Sequence, residues 1–83
     1  MQYSYQTKGT CSREILFEIE DGKVKNVQFI GGCNGNLKGI GALAEGMSID
    51  DVIARLEGTT CGPKSTSCPD QLAQALKKAK EHL

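Results

Sequence analysis

A chain of 83 residues has room for one domain and excludes a second, and at that size a lower fraction of the surface is buried on folding than in a larger protein. Ten basic residues balance ten acidic ones, so the overall field gives no reason to expect nucleic acid or a membrane surface as a partner. Four cysteines are many for so short a chain, and small chains often recruit a metal, disulfides or a second subunit to supplement a small core.

The first eight residues are polar, with two tyrosines and no apolar stretch of signal-peptide length, and no later run approaches a membrane span. The expected location is the cytoplasm, where the redox poise keeps ordinary thiols reduced. Cysteines in that setting read as metal ligands, redox-active thiols or small buried hydrophobes before they read as structural disulfides.

Gln2 to Gln6 alternates, with Tyr3 and Tyr5 on one face. Ile15, Phe17 and Ile19 alternate in the next run, and Val27 and Phe29 in a third, which predicts three antiparallel strands. Asp21-Gly22 is a hairpin signal, but a strict two-residue turn would set Phe17 opposite Asn26 and Ile15 opposite Gln28, mixing the two faces. One residue added at Gly22 pairs Phe17 with Val27 and Ile15 with Phe29, so a glycine bulge is expected there.

Leu37, Ile40, Leu43 and Ala44 recur at helical spacing, weakened by Gly39 and Gly41, so this first helix is expected to be short and to pack closely against a neighbour. Ser48 is a good N-cap with Asp50 and Asp51 in the first turn, and Ile49, Val52, Ile53 and Leu56 form an apolar stripe that Gly58 ends. Pro69 suits the first position of a last helix carrying Leu72, Ala75, Leu76, Ala79 and Leu83, with Lys77, Lys78 and Lys80 near its C-terminal end. Strands followed by helices predict an α+β fold, a three-stranded antiparallel sheet with about three helices packed on one face.

Two glycine- and hydroxyl-rich loops, 31–39 and 58–70, each lead into a helix. Free backbone N–H groups and the positive end of a helix dipole can hold an anion there or favour a thiolate. The first loop offers Gly31, Gly32, Asn34, Gly35, Asn36 and Lys38 as candidate anion or nucleotide contacts, and the second offers Lys64, Thr66 and Ser67. Neither has the spacing of a Walker A motif, and turn formation alone also accounts for such glycines and serines.

Cys33 and Cys68 fall at these helix starts, with Cys68 the expected N-cap if Pro69 opens the last helix, while Cys61 lies in the second loop and Cys11 between the first two strands. None of the four sits within an apolar stripe, which argues against simple core packing. Four thiolates could bind zinc tetrahedrally, yet paired Cys-x-x-Cys knuckles are absent, and their absence equally weakens a thioredoxin-like reading. His82, near the C-terminal end, has no assigned role. Asp70 reads first as a first-turn aspartate complementing the helix dipole.

Thr66-Ser67-Cys68-Pro69-Asp70 spells the motif for which the TSCPD domain family is named, and the chain resembles that family along nearly its whole length. Thr10-Cys11-Ser12, the run Phe29-Ile30-Gly31-Gly32-Cys33-Asn34-Gly35-Asn36-Leu37, and Cys61-Gly62-Pro63-Lys64 are similar to its other recurring segments, in the same order. The resemblance is to the small stand-alone members, and a similar domain occurs at the C-terminal end of some adenosylcobalamin-dependent ribonucleotide reductases. Members are labelled ribonucleoside-diphosphate reductase on that account. That reaction needs a large barrel shielding a thiyl radical, a nucleotide pocket and a radical generator, which this chain cannot house.

The resemblance thus implies an accessory module linked to deoxyribonucleotide synthesis, with Cys11, Cys33, Cys61 and Cys68 as a redox-active or metal-binding cluster taking zinc or iron, beside a ribonucleotide reductase or a nucleotide as partner. Two other classes stand beside it. One is a nucleotide- or anion-binding module built from the two loops, and the other a non-catalytic interaction domain, such as a homodimer joined through an exposed edge strand.

Overall fold

The computed structural model of the chain describes residues 2–7, 12–31, 34–60 and 66–81, with backbone alone for 34–36. Three strands, β1 (Gln2–Gln6), β2 (Ser12–Glu20) and β3 (Lys23–Gly31), precede three helices, α1 (Asn34–Ala44), α2 (Ile49–Leu56) and α3 (Cys68–Lys80). The sheet is antiparallel in the order β1-β2-β3, and the fold is α+β, as the order of strand-like and helical segments predicts.

The alternation in β2 decides which face is covered. Ile15, Phe17 and Ile19 point to one side with Val24, and they are buried against Ala44 of α1, Ile49 and Val52 of α2, and Leu72, Ala75, Leu76 and Ala79 of α3. Those four α3 residues recur at helical spacing, and the alanines let the helix approach the sheet closely. Tyr3 of β1 stacks on Phe17, with ring centroids 5.5 Å apart. The apolar stripe of α3 was expected to reach Leu83, which lies, with His82, outside the described residues.

The hairpin departs from expectation in where its extra residue sits. Glu20 pairs with Lys23, Ile19 with Val24 and Glu18 with Lys25, so Asp21-Gly22 forms a strict two-residue turn and no bulge occurs at Gly22. Both turn residues have positive φ, 54° and 75°, the backbone that a right-twisted hairpin requires and that Asp-Gly supplies. The added residue enters further along, where Asn26 and Val27 together oppose Phe17, and beyond it Ile15 pairs with Phe29 as the hydrophobic pattern demands. Asn26 has φ 52°, and asparagine adopts this region more readily than most side chains. Its backbone N–H donates to Glu45 Oε1 at 2.9 Å, which anchors the bulge to the end of α1.

The first helix also corrects the sequence reading at one position. Leu37 and Ala44 are buried and Ile40 half-buried, but Leu43 is 78% exposed. The reason is the face that α1 presents. Gly41 lies directly over β3, where a Cβ would come 3.0 Å from the carbonyl oxygen of Val27. At about 100° per residue, Leu37, Ile40 and Ala44 share that side and Leu43 turns away. The second helix forms as expected, with Ser48 Oγ accepting the Asp51 N–H at 3.2 Å and Gly58 at φ 84° just past its end.

The two glycines of α1 separate backbone propensity from packing. Gly39 has open space where a Cβ would be, so Gly39→Ala is expected to stabilise the protein by about 0.5–1 kcal/mol. Gly41→Ala gains the same propensity but meets the Val27 carbonyl and is expected to be neutral or destabilising, the difference being read as the shift in urea midpoint between the two variants.

Candidate functional site

The start of α3 is where the described candidate residues meet. Sequence reasoning makes Cys68 the N-cap, but the helix begins one residue earlier in function. Ser67 is the cap, its Oγ accepting the Asp70 N–H at 3.2 Å, while Cys68 and Pro69 occupy the first turn. A hydroxyl oxygen is the better acceptor, and proline is tolerated in the first turn because its missing N–H would have no intrahelical partner. The Ser67 hydroxyl also donates to the carbonyl of Thr59 at 2.6 Å, tying α3 to the segment that leaves α2.

Asp70 is the centre of this junction. Its residue is 6% exposed, and its carboxylate accepts from the Gly58 N–H at 2.8 Å, from the Thr66 hydroxyl at 2.5 Å and, more weakly, from the Gln74 amide at 3.5 Å. Gln71 in turn donates to Thr66 Oγ1 at 2.9 Å. Burial by itself would raise the Asp70 pKa. The Thr66 hydroxyl, the Gly58 N–H, the Gln74 amide and the Lys77 charge together outweigh burial and hold the carboxyl below its usual 3.8. The sequence reading of Asp70 as a first-turn aspartate is met by its position, but its carboxylate also joins the end of α2 to the start of α3.

Cys68 is half-buried, and its Sγ lies 3.1 Å from Ser12 Oγ at the beginning of β2. Ser12 is itself buried and pairs across the sheet with Gly31, the last residue of β3. One corner of the molecule therefore brings together the start of β2, the end of β3, the exit of α2 and the first turn of α3. Sequence reasoning did not single out Ser12 as a site residue. Its only signal was its place in Thr10-Cys11-Ser12, since 56 residues separate it from Cys68.

The other candidates are distributed as follows. Thr66 and Ser67 face inward, and both hydroxyls are engaged as described. Gly31 ends β3 with φ 84°, Asn34, Gly35 and Asn36 form the first turn of α1, and Lys38 is exposed on that helix. Cys11, Gly32, Cys33, Cys61 and Lys64 lie outside the described residues. Among the described residues no three His, Cys, Asp or Glu side chains are grouped to hold a metal ion, a set that contains only one of the four thiols. No described helix is long and apolar enough to cross a membrane.

A family model for the TSCPD domain matches residues 1–80. The chain belongs to the TSCPD domain family. No curated protein and no solved structure matches it. In this TSCPD domain the eponymous five residues divide by task. Thr66, Ser67 and Asp70 are occupied with internal hydrogen bonds, Pro69 sits in the first turn of α3, and the Cys68 sulfur lies against Ser12 Oγ.

The lowered pKa of Asp70 has a sign that can be tested. A carboxyl with a depressed folded-state pKa contributes stability that is complete above its unfolded pKa and is lost as the pH falls through the folded one. Asp70→Asn is expected to cost about 1–3 kcal/mol at neutral pH. Below pH 3.8 the parent's unfolding midpoint is expected to fall more steeply than the variant's, and parallel acid profiles would show that the carboxylate charge is not what holds the junction.

Proposed function

We propose that this TSCPD domain is an accessory cysteine-cluster module, binding a metal or cycling a dithiol, that serves deoxyribonucleotide synthesis beside a ribonucleotide reductase. The observation that carries the reading is the corner at Cys68. Ser12 follows Cys11 in the chain, Gly31 stands two residues before Cys33, and Thr59 two residues before Cys61. All three are drawn to the start of α3, Ser12 by its contact with the Cys68 sulfur, Gly31 by pairing with Ser12, and Thr59 by its bond from Ser67. An extended chain advances only about 3.5 Å per residue, so anchors this close to each cysteine favour a common site.

The donor set fits the chemistry. Four thiols suit zinc, held tetrahedrally, or iron, and the positive end of the α3 dipole favours negative charge at Cys68. Cys11, Cys33, Cys61 and Cys68 would be the ligands, and in the dithiol form two of them would exchange protons and electrons with a partner disulfide. The alternative of an anion cradle is less well supported, because Thr66 and Ser67 spend their hydroxyl protons inside the protein. Reduction of a ribonucleotide would belong to the larger partner, since one small domain offers no barrel to shield a radical.

Elemental analysis with thiol titration, on protein purified without chelator or affinity metal, tests the cluster. About one zinc or iron per chain, with thiols that react only after chelation, is the expected result for a metal site, and Cys68→Ser should then lower the metal content. Absence of metal with two thiols missing would support the dithiol form instead. Absence of metal with all four thiols titrating freely, and no intramolecular disulfide formed on mild oxidation, would overturn the proposal.

A further inference from the structure

We infer that β1 pairs with β1 of a second copy of this chain, antiparallel about a two-fold axis through Ser4, joining two three-stranded sheets into one. The inference is independent of the cysteines and begins with the unequal treatment of the two sheet edges. On the β3 side, Val24 exchanges hydrogen bonds with the segment after α1, donating to the Met47 carbonyl and accepting from the Gly46 N–H, both at 2.8 Å. Ile49 N–H donates to the Gly22 carbonyl at 3.0 Å, and Lys23 and Lys25 add charge along that strand. On the β1 side, no strand or loop among the described residues pairs with the outer edge. Gln2–Gln6 also carries no charge and no proline, the usual guards of an open edge.

The strand is suited to meet itself. An antiparallel pairing centred on Ser4 sets Gln2 against Gln6 of the second copy and Tyr3 against its Tyr5, and because Gln-Tyr-Ser-Tyr-Gln reads the same in both directions each side chain meets its own kind. A two-fold interface must be self-complementary, and here no like charges are opposed. The hydrogen-bond phase agrees. Thr7 N–H donates to the Arg13 carbonyl at 3.1 Å, so in an alternating ladder Tyr5 and Tyr3 turn their backbone groups toward β2. Gln2, Ser4 and Gln6 then turn theirs outward, and the axis through Ser4 makes all of these residues hydrogen-bonded pairs.

The side chains add a second layer to the joint. Tyr3 and Tyr5 are half-buried at an open cleft of about 180 Å³ between β1 and α3, beside Phe17, Ala75 and Ala79. In the paired sheet Tyr3 and Tyr5 of the second copy stand directly opposite one another in non-hydrogen-bonded pairs, where side chains are closest, and they extend the tyrosine surface across the axis. A five-residue strand pair with this rim is smaller than a standard interface of about 1,600 Å², which places the association in the weaker range.

Sedimentation of the full chain under reducing conditions, from about 1 μM to 1 mM, is expected to show the mass rise from 8.9 kDa toward twice that value. Ser4→Pro removes an outward N–H that β2 does not use and should remain at the single-chain mass with an unchanged circular dichroism spectrum. Should that variant fail to fold, Ser4→Lys, which opposes two like charges across the axis, is expected to give the same loss of dimer. Leu43→Lys, on the exposed side of α1, should dimerise like the parent. The inference is overturned if the parent stays monomeric throughout, which would leave the edge to a different protein. It is equally overturned if folded Ser4→Pro or Ser4→Lys dimerises like the parent, or if Leu43→Lys alone abolishes the dimer.

Discussion

The carboxylate of Asp70 is the constraint on which the geometry of the site rests. It is nearly inaccessible, and it is tolerated there because the Gly58 N–H, the Thr66 hydroxyl and the Gln74 amide replace the water it has lost. Those donors come from both sides of the loop between α2 and α3. The carboxylate therefore closes the loop at its base, and together with the Ser67 hydroxyl on the Thr59 carbonyl it determines where α3 begins. The position of Cys68 follows from that starting point. A thiol one residue past the cap emerges at the side of the helix facing β2, where Ser12 meets it.

The rest of the fold supports the same corner from the sheet side. Phe17, Ile15, Leu72 and Leu76 are fully buried, and this contact between β2 and α3 holds the start of the helix against the start of the strand. The bulge at Asn26 keeps the hydrophobic register from β2 into β3 after a two-residue turn that would otherwise have reversed it. Further along, a second irregularity at Arg13 shifts the pairing by one residue and sets Gly31, the end of β3, beside Ser12.

Much of this was legible without coordinates, and the particular residues show why. Ile15, Phe17 and Ile19 declare a half-buried strand by alternation, and Ser48 followed by two aspartates declares a helix start by local hydrogen bonding. The need for one extra residue in the hairpin was also legible, since the faces of β2 and β3 do not match without it. Its location was not. Asp21-Gly22 and Asn26 can both adopt positive φ, and the contacts of Asn26 with Glu45 just past α1 and with Glu18 on β2 distinguish them. Leu43 was misassigned for a related reason, because a helix with apolar residues over a wide arc does not say which part of the arc meets the sheet.

The sequence by itself determined the element order, the α+β class, the family and the set of thiols, because each of these depends on periodicity, turn chemistry or motif, properties carried within a few neighbouring residues. Only the tertiary structure decided that Ser67 and not Cys68 caps α3, that Asp70 faces inward to join two helices, and that Ser12 lies against the sulfur. Those facts depend on contacts between residues far apart in the chain, and such contacts are selected by the packing of β2 against α3, a choice that no local pattern encodes.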